Sequence, residues 1–223
     1  MRTALIVLRK DILLELRTFE TLPAMILFAV STFVVFHFAL NRSSIGGQLA
    51  AGVLTATVLF AGLLGVNRLF VADREQGGFD AFMLAPVDRS ALLLAKASAL
   101  FIFLAVLEVV ALPAFALLLL GPSLGPALGG LIVLLALADV AVAVIGTLVS
   151  AIAVHTRARD LIAPIIALPL LIPALIATAE GAGPLLSAHA HRFPEGRWLA
   201  ILALYDLVFA LLAHAVFDFL LED

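Results

Sequence analysis

Cysteine is absent from this 223-residue chain. That excludes disulfides, thiolate chemistry and Cys-ligated metal, and it removes Cys usage as a guide to compartment. Charge is scarce as well: 13% of residues are Asp, Glu, Lys or Arg, where soluble domains carry about 25%. No G-x-x-x-x-G-K-[ST] run occurs, so the chain is not itself a P-loop ATPase. What fills the sequence instead is hydrocarbon. It is 64% hydrophobic with a mean hydropathy of +1.22, against about 45–50% apolar for a soluble domain. The composition is that of an integral membrane protein. The net charge of −3 says little, because in a bilayer the location of charge matters more than its sum. Arg9, Lys10 and Asp11 break the first apolar run and no small-residue cleavage site follows, so a cleavable signal is not expected. A single membrane domain over 1–223 is expected.

A spanning helix needs roughly 20 mostly apolar residues. Stretches at about 22–40, 49–68, 92–120, 128–153, 161–179 and 199–220 qualify, predicting an all-α protein with six transmembrane helices. Gly121, Pro122, Gly125 and Pro126 predict a tight turn between the third and fourth spans. The fifth contains Pro164, Pro169 and Pro173, so its backbone ladder must be kinked or re-satisfied by neighbours.

Basic residues set the orientation. Arg2, Arg9, Lys10 and Arg17 precede the first span; Arg68, Arg74, Arg89 and Lys96 lie between the second and third; Arg157 and Arg159 lie between the fourth and fifth. The other side has only Arg42, Arg192 and Arg197. Both termini are therefore expected in the cytoplasm. Residues 2–20 are too charged to span. Leu5, Leu8, Ile12, Leu16 and Phe19 fall within about 80° on a helical wheel, with Arg2, Lys10 and Arg17 opposite. An amphipathic helix lying on the cytoplasmic interface, near anionic lipid headgroups, is the expectation. Gly62 and Gly65 in the second span, and Ala143, Gly146, Thr147, Ser150 and Ala151 in the fourth, are small residues that permit close helix packing.

Glu108 lies about 18 Å along the third span from Lys96, and Asp139 about 16 Å into the fourth. Both fall near the midplane, where an isolated carboxylate costs at least about 2.5–3.5 kcal/mol. They should face protein or water. One reading is a substrate or proton path; the other is a hydrogen-bonded packing pair. Asp206 lies shallower in the sixth span. His189 and His191 sit in an outer loop with no third ligand nearby, so a solvated loop is expected rather than a metal or haem site. No catalytic or metal-ligating set is expected.

The polar stretch between the second and third spans, about 69–91, is the feature that points to function. Phe70, Phe79, Phe82, Met83 and Leu84 are too many large apolar residues for a free loop, and Asp73, Glu75 and Asp80 rim them. Gly77-Gly78 and Ala85-Pro86 bracket a predicted short helix over 79–84. Asp80 suits its N-terminus, and Asp88 is a plausible N-cap for the third span. Such a helix is what a permease uses to receive force from a nucleotide-hydrolysing subunit. A connecting loop resting on its own bundle is the alternative.

The pattern F-x-x-D-x-x-x-G-x-x-D, then M-L-x-P, then A-K, stands at Phe70, Asp73, Gly77, Asp80, Met83, Leu84, Pro86, Ala95 and Lys96. With N-R-L-F (Asn67 to Phe70), the proline-rich segment Ala167 to Thr178, the length and the six spans, it resembles the heme exporter B family. Members are permease subunits of the cytochrome c maturation ABC transporter. Gln76 departs from the family, where an acid is frequent. The resemblance implies an ABC-2-type exporter permease that dimerises, docks two copies of an ATPase subunit and works beside a haem-handling membrane partner in the bacterial inner membrane. Phe70, Asp73, Gly77, Asp80, Phe82, Met83 and Pro86 would then couple the ATPase stroke. No cofactor of the chain itself is implied; haem enters as cargo of the complex, and nucleic acid is not an expected partner. Three other readings stand beside this one: an ABC-2 permease for another amphipathic substrate, a non-transporting scaffold for a haem-handling complex, and a proton-coupled secondary transporter using Glu108 and Asp139. The last fits less well, since the halves show no repeat.

Overall fold

Apolar runs of this length have only one way to satisfy their backbone in lipid without a closed barrel, which is to coil. A computed structural model describes residues 2–40, 42–70, 89–121, 123–153, 159–187 and 192–220. Among these residues there are seven α-helices and no strand: α1 (Arg2–Thr18), α2 (Thr21–Ala39), α3 (Gly47–Arg68), α4 (Arg89–Leu118), α5 (Leu128–Ala153), α6 (Arg159–Ala182) and α7 (Gly196–Leu220). Helices α2 to α7 are each long and apolar enough to cross a bilayer, with mean hydropathies between 2.0 and 2.7. The six-helix membrane architecture expected from the composition is therefore present.

The bundle is built around α3 and α5, its two most buried spans. Helix α5 packs on α3, α4, α6 and α7, and α3 packs in turn on α2, α4 and α6. The outermost helices, α2 and α7, bury only a narrow stripe. On α2 that stripe is Met25, Ala29 and Phe33, spaced four apart, while Leu27, Val35 and Phe38 point outward. Large apolar side chains on an outer face suit hydrocarbon surroundings. Phe33 meets Phe115 of α4 with ring centroids 5.4 Å apart.

Small residues set the spacing at the centre. A Cβ on Gly146 would stand 2.5 Å from Val66 Cγ2, and one on Gly65 would stand 2.9 Å from Leu100 Cδ1. The glycines read from the sequence as packing positions thus bring α3, α4 and α5 together within one chain. One turn on from Gly146, the Ser150 hydroxyl donates to the Val66 carbonyl at 2.7 Å, adding to the 3.3 Å bond that this carbonyl accepts from Leu69 N at the end of α3. The proline-containing helix α6 is also tied to a neighbour. Tyr205 of α7 donates its hydroxyl to the Leu170 carbonyl, between Pro169 and Pro173.

The helix ends are tied differently at the two ends of the bundle. At the end away from α1, backbone joins backbone. Ile45 N donates to Leu119 O (2.7 Å), Gly121 N to Ile45 O (2.9 Å) and Gly47 N to Leu186 O (2.8 Å). Gly47 takes a left-handed φ of +59° there, which glycine adopts without strain. Gln48 adds an amide hydrogen bond of 3.1 Å to Glu180, and His37 contacts the Leu118 carbonyl.

At the α1 end the ties are charged. Helix α1 lies along α4, burying Ala4 and Val7. Its chain turns at Phe19, which has φ +50°, and its buried Glu15 then caps α2: the carboxylate accepts from Thr21 N at 2.9 Å and Leu22 N at 2.7 Å. The next residue, Pro23, has no N–H to satisfy. Arg68 at the close of α3 pairs with Glu20 at 3.1 Å. Ser90 and His214 meet at 3.2 Å, which brings the end of α7 to this same side.

Candidate functional site

The stretch expected to couple to an ATPase begins where α3 stops, and its first residues are held in place by one lysine. Lys96 is seven residues into α4, about 10 Å along the helix, and only 1% exposed. Its ammonium lies 2.9 Å from the Asp11 carboxylate of α1 and donates to the Leu69 carbonyl at 3.1 Å. It also stands 5.2 Å from the centroid of the Phe70 ring, within the range of a cation–π contact. Asp11 reaches Lys10 as well, at 3.3 Å. Removing one partner of a buried ion pair costs about 3–5 kcal/mol, because the other charge is left in low dielectric. The root of the stretch is thereby fastened to α1 and α4 together.

Of the residues proposed for coupling, Phe70 is buried against this lysine. Asp73, Gly77, Asp80, Phe82, Met83 and Pro86 lie outside the described residues, as do the predicted 79–84 helix and the Asp88 N-cap. His189 and His191 lie outside them too. Among the described residues there is no group of three or more His, Asp or Glu able to hold a metal ion.

Two of the intramembrane acids form a second candidate site. Glu108 of α4 and Asp139 of α5 are both buried and close enough to interact electrostatically. Asp206 of α7 is buried as well. Glu108 Oε1 and both Asp206 carboxylate oxygens have no hydrogen-bond partner among the described residues. Three helices that pack on one another, α4, α5 and α7, thus each bring one acid into the bundle. Asp139 also lines a cavity of about 30 Å³ between α3, α5 and α6, with Thr55, Val58, Val142, Leu171 and Thr178 around it. The Thr55 and Thr178 hydroxyls donate to carbonyls of their own helices, at 2.8 and 2.7 Å, so what their oxygens still offer is acceptor capacity. A water needs roughly 10–15 Å³ on such a measure, and small-molecule pockets run to about 300–1,000 Å³. This cavity is water-sized and faces a carboxylate; it does not hold a large cargo.

Sequence reasoning singled out Glu108, Asp139 and Phe70, and it left Lys96 as the edge of a motif. It missed Asp11 and Glu15. Both were visible as acids on an otherwise basic amphipathic helix, and Lys96 as a lone cation in the apolar run from Ala91 to Leu107. Opposite charges isolated on two segments of a membrane protein are a signal that the segments meet.

The sequence profile of the CcmB protein family matches residues 2–219. The chain belongs to this family. Its curated relatives carry one description, "Heme exporter protein B". That of Rhodobacter capsulatus is 37% identical over 139 residues, which is 62% of this chain and 63% of the relative. That of Paracoccus denitrificans is 32% identical over 133 residues, 60% of each protein. These two matches thus span less than two thirds of the relatives' own length. That of Pseudomonas aeruginosa is 28% identical over 214 residues, 96% of this chain and 93% of the relative.

Proposed function

We propose that this chain is the permease subunit of an ABC transporter in c-type cytochrome biogenesis, coupling ATP hydrolysis by a separate subunit to haem export or to release of a haem-loaded chaperone. The observation that carries the reading is the family match over 2–219, which runs through the polar stretch as well as the spans. The relatives' shared description as heme exporter protein B supplies the cargo.

The assembly follows from the same reading. Two copies of the permease pair in the inner membrane, two ATPase subunits dock on their cytoplasmic faces, and a haem-handling membrane protein stands alongside. The α1 end and both termini are cytoplasmic on this reading, which the basic residues of α1 with Arg68 and Lys96 support. Phe70, Asp73, Gly77, Asp80, Phe82, Met83 and Pro86 form the coupling surface. The acids Asp73 and Asp80 supply its charge, and Phe70 is its buried root. Cargo movement uses a path other than the water-sized cavity at Asp139, which is far too small for a macrocycle.

The test is capture from native membranes. Tagged wild-type chain should co-purify a nucleotide-binding subunit, and cells lacking the chain should lose holo-cytochromes c. Asp73→Lys combined with Asp80→Lys should abolish the capture while the chain still inserts. Undiminished capture by the double variant would remove the docking role of these acids, and normal cytochrome c levels without the chain would remove the function.

A further inference from the structure

The buried ion pair at the α1 end joins parts of the chain that are distant in sequence, and each part has a place in the coupling path. Lys96 is a full charge with 1% exposure, a state that persists only when partners replace water. Lys96 and these partners join three segments. Asp11 is on α1, Leu69 and Phe70 close α3, and Lys96 itself is on α4. Leu69 and Phe70 are the residues from which the 69–91 stretch departs, and α4 receives it again at Arg89. Lys96 therefore bridges the entry and exit of the stretch, and Asp11 fastens both to α1.

The neighbouring contacts strengthen the same connection. Arg68, next to Leu69, reaches Glu20 in the α1–α2 turn. Glu15, one turn along α1 from Asp11, caps α2. Ala4, Val7, Asp11 and Glu15 share the side of α1 that faces protein, while Leu5, Ile6, Leu13 and Leu16 are exposed. An apolar pair at positions 11 and 96 would fill the space without charges to desolvate. What the contacts add is a fixed register, since one Nζ hydrogen-bonds the Leu69 carbonyl while standing 2.9 Å from the Asp11 carboxylate, as an ion pair without a hydrogen bond, and 5.2 Å from the Phe70 ring centroid.

We propose that Lys96 and Asp11 form a latch that makes α1 part of the coupling unit, so that force received on the 69–91 stretch moves α1 and α4 together instead of pivoting at Phe70. Lys96 is a positioning residue in this role, and the proposal rests on the coupling function assigned above. It predicts a split between two quantities. Docking and hydrolysis of ATP depend on the stretch itself. Work delivered per ATP depends on the latch.

The experiment uses the assembled complex, with Lys96→Met, Asp11→Asn, and the exchanged pair Asp11→Lys with Lys96→Asp. Each single variant strands one charge and should fold less stably, but the chain that assembles should capture the nucleotide-binding subunit and hydrolyse ATP at close to the wild-type rate. Holo-cytochrome c formed per ATP should fall about tenfold, and the exchanged pair should recover a substantial part of it. A second measurement reads the latch without reference to transport. Because the chain has no native Cys, spin labels at Leu13→Cys on α1 and Leu94→Cys on α4 report one distance, and both positions are exposed. Lys96→Met should broaden that distance distribution and the exchanged pair should narrow it. An unchanged distribution in Lys96→Met overturns the latch. A broadened distribution with wild-type yield per ATP overturns its part in coupling. If the wild-type chain captures no nucleotide-binding subunit, the assigned function fails instead, and the spin-label distances alone decide whether α1 is latched.

Discussion

Replacing Glu15 with Ala should loosen the first turn of α2 and destabilise the protein by about 2 kcal/mol, the sum of a cap and a favourable charge. Glu15 is 6% exposed, and its carboxylate accepts from two backbone donors, Thr21 N at 2.9 Å and Leu22 N at 2.7 Å. The first four N–H groups of a helix have no partner within it. Here Pro23 has none to satisfy, so Glu15 serves two of the remaining three. A side-chain cap is worth about 0.5–2 kcal/mol, and a negative charge at a helix N-terminus adds about 0.3–1 kcal/mol. Glu15→Gln keeps an accepting oxygen and loses the charge, so it should fall between wild type and Glu15→Ala. The loss is local in origin but not in reach, because the turn it holds also presents Glu20 to Arg68. Equilibrium unfolding in mixed detergent micelles, followed by helical circular dichroism, gives the ordering wild type, Gln, Ala. A Glu15→Ala variant within about 0.3 kcal/mol of wild type, well below the lower bound for a cap, would refute the assignment.

Two further predictions concern the spanning helices. Gly146→Ala places a methyl 2.5 Å from Val66 Cγ2 and should cost about 1–3 kcal/mol by overpacking; Gly129→Ala, with nothing within 4 Å, should be neutral or slightly stabilising in the same unfolding assay. Equal stabilities for the two would contradict the close approach of α3 and α5. Glu108→Gln combined with Asp139→Asn should lower ATP-dependent holo-cytochrome c formation if these acids serve transport, whereas wild-type formation would return them to packing.

How far the sequence could be read differs between the membrane core and its edges. Lipid imposes a length and a polarity on each span, so the six apolar runs were legible from composition and spacing. Helix α1 was harder. Its wheel shows an apolar side with Leu5 and Leu16, yet both are exposed while Ala4, Val7 and Glu15 are buried. In water the apolar side of a helix turns toward protein. Beside a bilayer it has hydrocarbon available, and the side left for protein contact can be small and charged. Glu108 and Asp139 could be placed near mid-depth by counting residues, but their approach to one another depends on how α4 and α5 are rotated, which hydrophobicity along a uniformly apolar helix does not encode. Lys96 was seen as part of a motif, with no means of telling that Asp11, 85 positions away in the numbering, would be its counter-ion.

The knot at the end away from α1 decides which residues there are free to vary. Its three links run from main chain to main chain, at Ile45–Leu119, Gly121–Ile45 and Gly47–Leu186, so they are indifferent to most side chains. Arg42 and Ser43 are exposed beside them. Substitution is constrained instead at Gly47, by its left-handed φ, and at Gly121, where a Cβ would meet Ser44 Oγ at 2.7 Å. This edge of the protein can therefore carry a label, a tag residue or a drifting sequence at 42 and 43 while its shape is preserved by two glycines.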